Sequence, residues 1–168
     1  GMGEPTHNLE NVLAAAAHFG RDGLISYRRQ TLSTVGSKRA FARMLEAEVR
    51  PALALSLHSV DPAVRRHLLP HAGDDEIPAL VAAADSYART IGNPVQIEWT
   101  LLAGVNDSDA EIDGLASLVG GVYGYVNFIV WNRVDGPDFA PTPRDRVVEV
   151  VRRLKNRGVL ATMRVSVG

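Results

Sequence analysis

Hydrophobic positions along this chain fall into two kinds of run. Recurrence at three- and four-residue spacing predicts helices, and short apolar runs bounded by turn residues predict strands. The first helix is predicted over 8–19, NLENVLAAAAHF, with Asn8 as N-cap, Glu10 and Asn11 in its first turn, and alanines of high helix propensity. Gly20 and Gly23 end it. YRRQTLSTVG, 27–36, predicts a short strand before a turn at Gly36. Ser37 caps a second predicted helix, KRAFARMLEAEV, in which Phe41, Met44, Leu45 and Val49 share one face. ALALSLH, 52–58, is a nearly continuous apolar run closing on polar atoms, the pattern of a strand buried on both faces. DPAVRRHLLP offers Asp61 as cap and Pro62 at the first helical position, and Pro70 stops it. A longer helix is predicted over 75–90, with Ile77, Leu80, Val81, Ala84, Tyr87 and Ala88 along its apolar stripe. VQIEWTLL, YVNFIVW and VLATMRVSV read as strands, with SDAEIDGLASLV and PRDRVVEVVRRLKNRG as the helices between them.

The resulting order, αβαβααβαβαβ, argues for a parallel α/β sheet with right-handed crossovers. An open doubly wound sheet and an incomplete (β/α) barrel both satisfy it. No repeat, low-complexity tract or linker divides the chain, and the turn-rich NRVDGPDFAPTP, 132–143, reads as a loop at the edge of a site. At 168 residues, 46% hydrophobic and 22% charged, this is one domain with room for a core, and the composition argues against disorder. A net charge of -1 lacks the basic excess of a protein that grips nucleic acid through phosphates. The chain contains no cysteine, so it forms no disulfide, zinc–thiolate site or cysteine-ligated iron–sulfur cluster by itself. No apolar run approaches the ~18 residues of a membrane span, and the first residues lack a secretory pattern, so a cytoplasmic setting is expected.

Ligands of parallel α/β folds sit beyond the carboxyl ends of the strands. Those ends carry Ser33 and Thr34, Ser56 and His58, Asn106-Asp107-Ser108, and Trp131-Asn132, while GMGEP resembles the end of a further strand. Each also has a plain structural explanation. Ser and Thr are ordinary turn formers, Asn106-Asp107-Ser108 suits a helix N-cap, and a lone His58 fits a hydrogen-bonded structural role. His67 and His71 are separated by the helix-breaking Pro70, and Glu98 lies in mid-strand. Arg28, Arg29, Arg39 and Arg43 are candidate phosphate contacts; Arg65-Arg66 and Arg152-Arg153 read as wet helix faces. These residues describe an uncharged polar pocket suited to a small ligand with amine, carboxylate and hydroxyl groups.

Taken in order, GMGEP, TLSTVG, ALALSLH, WTLLAGVNDS and VNFIVWN resemble the radical S-adenosylmethionine RNA methyltransferases of the RlmN/Cfr type, over essentially the whole chain. The resemblance implies an incomplete (β/α) parallel barrel of the radical SAM type, with 1–168 as a single partial core. It implies methylation of an adenine ring carbon, C2 or C8, in 23S rRNA and, for some members, tRNA. Gly3 and Glu4 match the turn that holds the amino group of S-adenosylmethionine, and Ser33 matches a further contact to it. Ser56, Leu57 and His58 match the segment lining the cofactor, partly by its backbone, and Asn132 matches the contact to the adenosine end. GVNDS, a family hallmark, is assigned to capping and loop shape.

The departures are equally definite. In the family a CxxxCxxC loop upstream of the GEP turn binds a [4Fe-4S] cluster, and a cysteine beyond the last strand carries the methyl group. This chain holds neither, nor the amino-terminal RNA-binding domain, so no catalytic residue is assigned and the chain alone is expected to be inactive. An alternative is a non-catalytic S-adenosylmethionine-binding or protein-interaction remnant, its open sheet edge covered by a dimer partner or a missing segment. A cofactor-free aldolase or isomerase would need a strand-end lysine or an acid–histidine pair, and neither Lys38 nor Lys155 ends a strand.

Overall fold

A computed structural model describes residues 3–21, 23, 25–132 and 138–165. Gly1 and Met2 of the opening turn, 133–137 of the predicted loop, and 166–168 lie outside the described residues. After a 3-10 turn at Pro5–Asn8, the elements run α1 (Leu9–Arg21), β1 (Thr31–Thr34), α2 (Lys38–Leu45), β2 (Ala52–Ser56), α3 (Pro62–Leu68), α4 (Ile77–Ile91), β3 (Val95–Leu101), α5 (Asp109–Val119), β4 (Gly124–Val130), α6 (Arg144–Asn156) and β5 (Ala161–Val165). The predicted order holds throughout. Helix starts fall where side chains satisfy free amides: Ser37 accepts from Ala40 N, Asp61 from Ala63 N and Val64 N, and Ser108 from Glu111 N. Several boundaries differ: α1 runs through Gly20, predicted to end it, as far as Arg21. Tyr27–Arg29 coil into a 3-10 turn ahead of β1 rather than extending it, and α2 stops at Leu45, short of Val49. There the backbone tightens, with Glu46 N donating to Arg43 O and Ala47 N to Met44 O, before the chain turns into Pro51 and β2.

The sheet is wholly parallel, and its strands stand in the order β1-β2-β3-β4-β5. Because the order never reverses, right-handed crossovers put every connecting helix on the same side. That is the arrangement of a barrel wall, not of a doubly wound sheet. Leu53 and Leu55 of β2, Ile97, Trp99 and Leu101 of β3, and Val126 and Phe128 of β4 face the helices. They pack with Phe41, Met44, Leu80, Tyr87, Ile112, Val150 and Leu154 in one core, each such buried side chain stabilising the fold by roughly 1.5–3 kcal/mol. The Tyr87 hydroxyl donates to Pro51 O at 2.7 Å, tying α4 to the start of β2.

The run ALALSLH is not buried in the way its composition predicts. Leu53, Leu55 and Leu57 face the helices, whereas Ala54, Ser56 and His58 line the opposite, concave side. Alanine keeps the run apolar without filling that concavity. Arg65 also departs from expectation: it is only 5% exposed, not on a wet face. Arg153 is paired, donating to Asp113 in a network that also joins Asp109, Arg146 and Arg157 between α5 and α6. Arg43, a candidate for phosphate, is engaged by Glu10 at 2.6 Å. Among the described residues no helix is long and apolar enough to cross a membrane.

Gly124 starts β4 so close to its neighbour that an added β-carbon would collide with the Val95 carbonyl oxygen. Gly73 has open space around it. Gly124→Ala is therefore expected to lower stability by about 1–3 kcal/mol, while Gly73→Ala leaves it nearly unchanged. Urea-unfolding midpoints with matched slopes test the contrast.

Candidate functional site

The side chains that turn away from the helices line a cleft of about 1080 Å³ on the concave face. Strand register arranges them in rows that cross the sheet. Ser33, Ala54, Gln96 and Tyr125 form one row; Ser56, Glu98, Asn127 and Thr162 form the next; Thr100, Ile129 and Arg164 form the third. His58 stands beyond the end of β2, beside the third row. The cleft is thus polar on every strand, but not uncharged as expected: Glu98, Lys155 and Arg164 line it, because alternate residues along the inner strands and the end of α6 also face it.

His58 has φ +63°, a left-handed backbone that non-glycine residues seldom adopt. Two neighbours hold it there. Thr100 N donates to His58 Nδ1 at 3.0 Å, which leaves the ring proton on Nε2. Asn106 donates through Nδ2 to His58 O at 2.7 Å and to Thr100 O at 2.8 Å, and its Oδ1 accepts from Leu102 N. Asn106 is completely buried, so one carboxamide binds the ends of β2 and β3 together. Burial, and secondarily the positive charge of Arg65, pushes the imidazole down to about 4. His58 is consequently a neutral donor of fixed tautomer.

At the edge of β1, the Glu4 carboxylate clamps the GEP turn to the strand end. Its Oε1 accepts from Thr6 N, Thr6 Oγ1 and Thr34 Oγ1, and its Oε2 accepts from Val35 N at 2.9 Å. Burial pushes its pKa up, but the hydrogen bonds from Thr34, Val35 and Thr6 outweigh it and hold the carboxyl below the usual range. Oε2, with one in-chain donor, has room for another.

Of the residues singled out from sequence, Ser33, Ser56 and His58 line the cleft together. Glu4 and Gly3 lie beside the end of β1, and Asn132 is exposed just past β4; none of the three lines the cleft itself. The Leu57 side chain is wholly buried in the core, so only its backbone is available, and its amide donates to Glu98 O. Within GVNDS, Ser108 caps α5 as expected. Asp107 braces the loop, accepting from Gly104 N and Thr142 Oγ1. Asn106 exceeds the capping role assigned to it.

Sequence reasoning set Glu98 aside as a mid-strand residue and missed Asn127 and Thr162. Asn127 Nδ2 donates to both Glu98 oxygens, at 3.2 and 2.9 Å, and Thr162 Oγ1 donates to Asn127 Oδ1 at 3.0 Å. Glu98 is 8% exposed, and burial raises its pKa despite the Asn127 hydrogen bond and the positive charge of Arg164. The signal was present in VQIEWTLL, where Gln96, Glu98 and Thr100 alternate with buried apolar residues. Among the described residues no three His, Asp or Glu side chains gather to hold a metal.

No family model matches the chain. It is 46% identical over 168 residues to a probable RNA methyltransferase of Aromatoleum aromaticum, covering 100% of this chain and 48% of that protein. A probable RNA methyltransferase of Pseudomonas aeruginosa is likewise 46% identical over 168 residues, covering 100% of this chain and 49% of the relative. The chain therefore spans about half the length of the curated relatives it matches. Among solved structures, a radical SAM methyltransferase from Sphaerobacter thermophilus superposes with a TM-score of 0.93 at 33% identity, over 100% of this chain and 50% of that one. Streptococcus suis SuiB bound to S-adenosylmethionine shares the fold, with a TM-score of 0.65 at 14% identity over 98% of this chain and 38% of its own. The five parallel strands with flanking helices are thus the α/β fold of the Sphaerobacter methyltransferase.

The neutral imidazole has a pH signature. Between about 4 and 6.5 the folded state binds fewer protons at His58 than the unfolded chain does, so stability rises with pH across that window and is complete above it. Replacement by asparagine, which tolerates the left-handed backbone, removes this dependence. Wild type is expected to lose on the order of 2 kcal/mol more than His58→Asn as pH falls through the window, measured by urea unfolding at each pH.

Proposed function

We propose that this chain is part of an RNA methyltransferase of the radical SAM type and that its cleft holds S-adenosylmethionine. The observation that carries this reading is the 33% identity and 0.93 TM-score to the Sphaerobacter methyltransferase across all 168 residues. The relatives named as RNA methyltransferases support RNA as the substrate. The finer assignment is the RlmN/Cfr type, acting on an adenine ring carbon of 23S rRNA and, as for some members, of tRNA. Its support is the order of GMGEP, TLSTVG, ALALSLH and GVNDS along the chain.

The residues present fit S-adenosylmethionine. Its ammonium would find an acceptor in Glu4 Oε2 beside the end of β1, its carboxylate and ring nitrogens would find donors in His58 Nε2–H and the hydroxyls of Ser33 and Ser56, and Asn132 would be the contact to the adenosine end. When bound, the cofactor supplies the methyl group. The chain's own part is to bind and orient it: His58, neutral and locked in one tautomer, gives a hydrogen-bond donor of constant direction across the physiological range. The residues do not fit an iron–sulfur cluster. The chain has no cysteine, and the described residues gather no alternative ligand set, so no step through such a cluster is assigned to them.

Isothermal titration with S-adenosylmethionine tests the reading. Binding is expected, weakened roughly two- to tenfold by Ser56→Ala and by His58→Asn, as befits one lost hydrogen bond each. A folded protein that gives no binding heat with S-adenosylmethionine would end the proposal.

A further inference from the structure

Arg65 is an anomaly behind the rim of the cleft. Its side chain is buried, burial holds its pKa below the ordinary arginine value, and its Nε finds no hydrogen-bond partner. A cation so placed normally sits beside an anion, yet among the described residues no carboxylate forms a salt bridge with it. Asp75, which borders the same small pocket, pairs with Lys38 instead. What Arg65 does make is a hydrogen bond from Nη2 to Val35 O at 2.8 Å. A neutral donor could satisfy that carbonyl without the cost of burying a charge.

That bond is the first of a series. The oxygen of the Val35–Gly36 peptide accepts from Arg65, and the N–H of the same peptide, on Gly36, donates to Thr34 Oγ1 at 2.9 Å. Thr34 Oγ1 in turn donates to Glu4 Oε1. Every link runs the same way, from the buried cation to the carboxylate of the GEP turn. In such a series each bond polarises the next. A guanidinium on the carbonyl makes the peptide N–H a better donor, and the hydroxyl that accepts from it becomes a better donor itself. Glu4 is therefore the anion that answers Arg65, one peptide and one hydroxyl away. The loop between them has little slack: at Gly36, φ +83°, an added β-carbon would press into Leu55 and Phe41.

The far end of the series decides which oxygen of Glu4 is free. Oε1 takes three donors, Thr6 N, Thr6 Oγ1 and Thr34 Oγ1, while Oε2 takes Val35 N. Arg65 itself does not line the cleft. Resting on the cofactor reading above, we infer that Arg65 is a positioning residue for recognition of the cofactor's ammonium. It secures the peptide through which Thr34 fixes Oε1, and so leaves Oε2 presented to the ligand.

The test is isothermal titration of wild type, Arg65→Met and Arg65→Lys with two ligands. One is S-adenosylmethionine; the other is 5′-methylthioadenosine, which keeps the nucleoside and the sulfur but lacks the chain that bears the ammonium. Methionine replaces the buried charge by an apolar chain and removes the first donor of the series. It is expected to bind S-adenosylmethionine about tenfold more weakly, with affinity for methylthioadenosine within about twofold of wild type. Lysine keeps a charged donor one atom short of the guanidinium nitrogens. It is expected to lose about threefold for S-adenosylmethionine and nothing for methylthioadenosine. In a Glu4→Gln background, Arg65→Met is expected to cost less than about twofold more, because both changes act on one contact. A merely structural arginine would weaken both ligands together. If a folded variant loses both equally, or keeps the wild-type ratio of the two affinities, the inference is wrong while the pocket reading stands; where methionine does not fold, the lysine ratio decides. Absence of any S-adenosylmethionine binding to folded wild type removes the pocket reading itself, and this inference with it.

Discussion

A parallel strand placed beside its predecessor in the chain leaves the connecting helix no choice of side. Right-handed crossover repeated from β1 to β5 therefore covers one face of the sheet and leaves the other bare. Everything distinctive about the molecule follows from that asymmetry. The covered face requires large apolar side chains, and Leu53, Leu55, Ile97, Trp99 and Phe128 supply them. The bare face tolerates polar atoms, provided each finds a partner. Glu98, Asn127 and Thr162 find one another, and Thr100 and His58 do the same at the strand ends.

Features encoded within a few residues were legible in the chain. Asp61-Pro62 fixes the start of α3 because cap and ring act locally, and the stripe from Ile77 to Ala88 marks α4 because one helix face meets one core. The burial of Arg65 was not legible, since it depends on the Val35 carbonyl, far away in sequence, receiving its Nη2. The strand-end residues Ser33, Ser56 and His58 could be nominated from topology alone. The central role of Asn106 could not, because its partners, His58 O and Thr100 O, belong to different strands.

Glu98 was passed over for a different reason. Catalytic and binding groups are sought at strand ends, and it lies in the middle of β3. In a fully enclosed sheet that position would be untenable for a carboxylate. Here the alternate residues of a strand face a concavity instead of a second helical layer, so mid-strand positions are as available to chemistry as terminal ones. Recognising this required the one-sided helix layer, which composition does not disclose.

The row Thr162–Asn127–Glu98 joins the last strand to the middle of the sheet through side chains alone. β5 stands at the edge, with Met163 45% and the preceding Leu160 71% exposed, and has fewer neighbours to hold it than any strand between. A second donor engaging Glu98 draws charge from the carboxylate, so Asn127 is polarised less and its hold on Thr162 weakens. Occupancy of the cleft at Glu98 and attachment of the edge strand are then thermodynamically linked: filling one eases the fraying of the other, and amide exchange along β5 becomes a distant gauge of what the cleft contains.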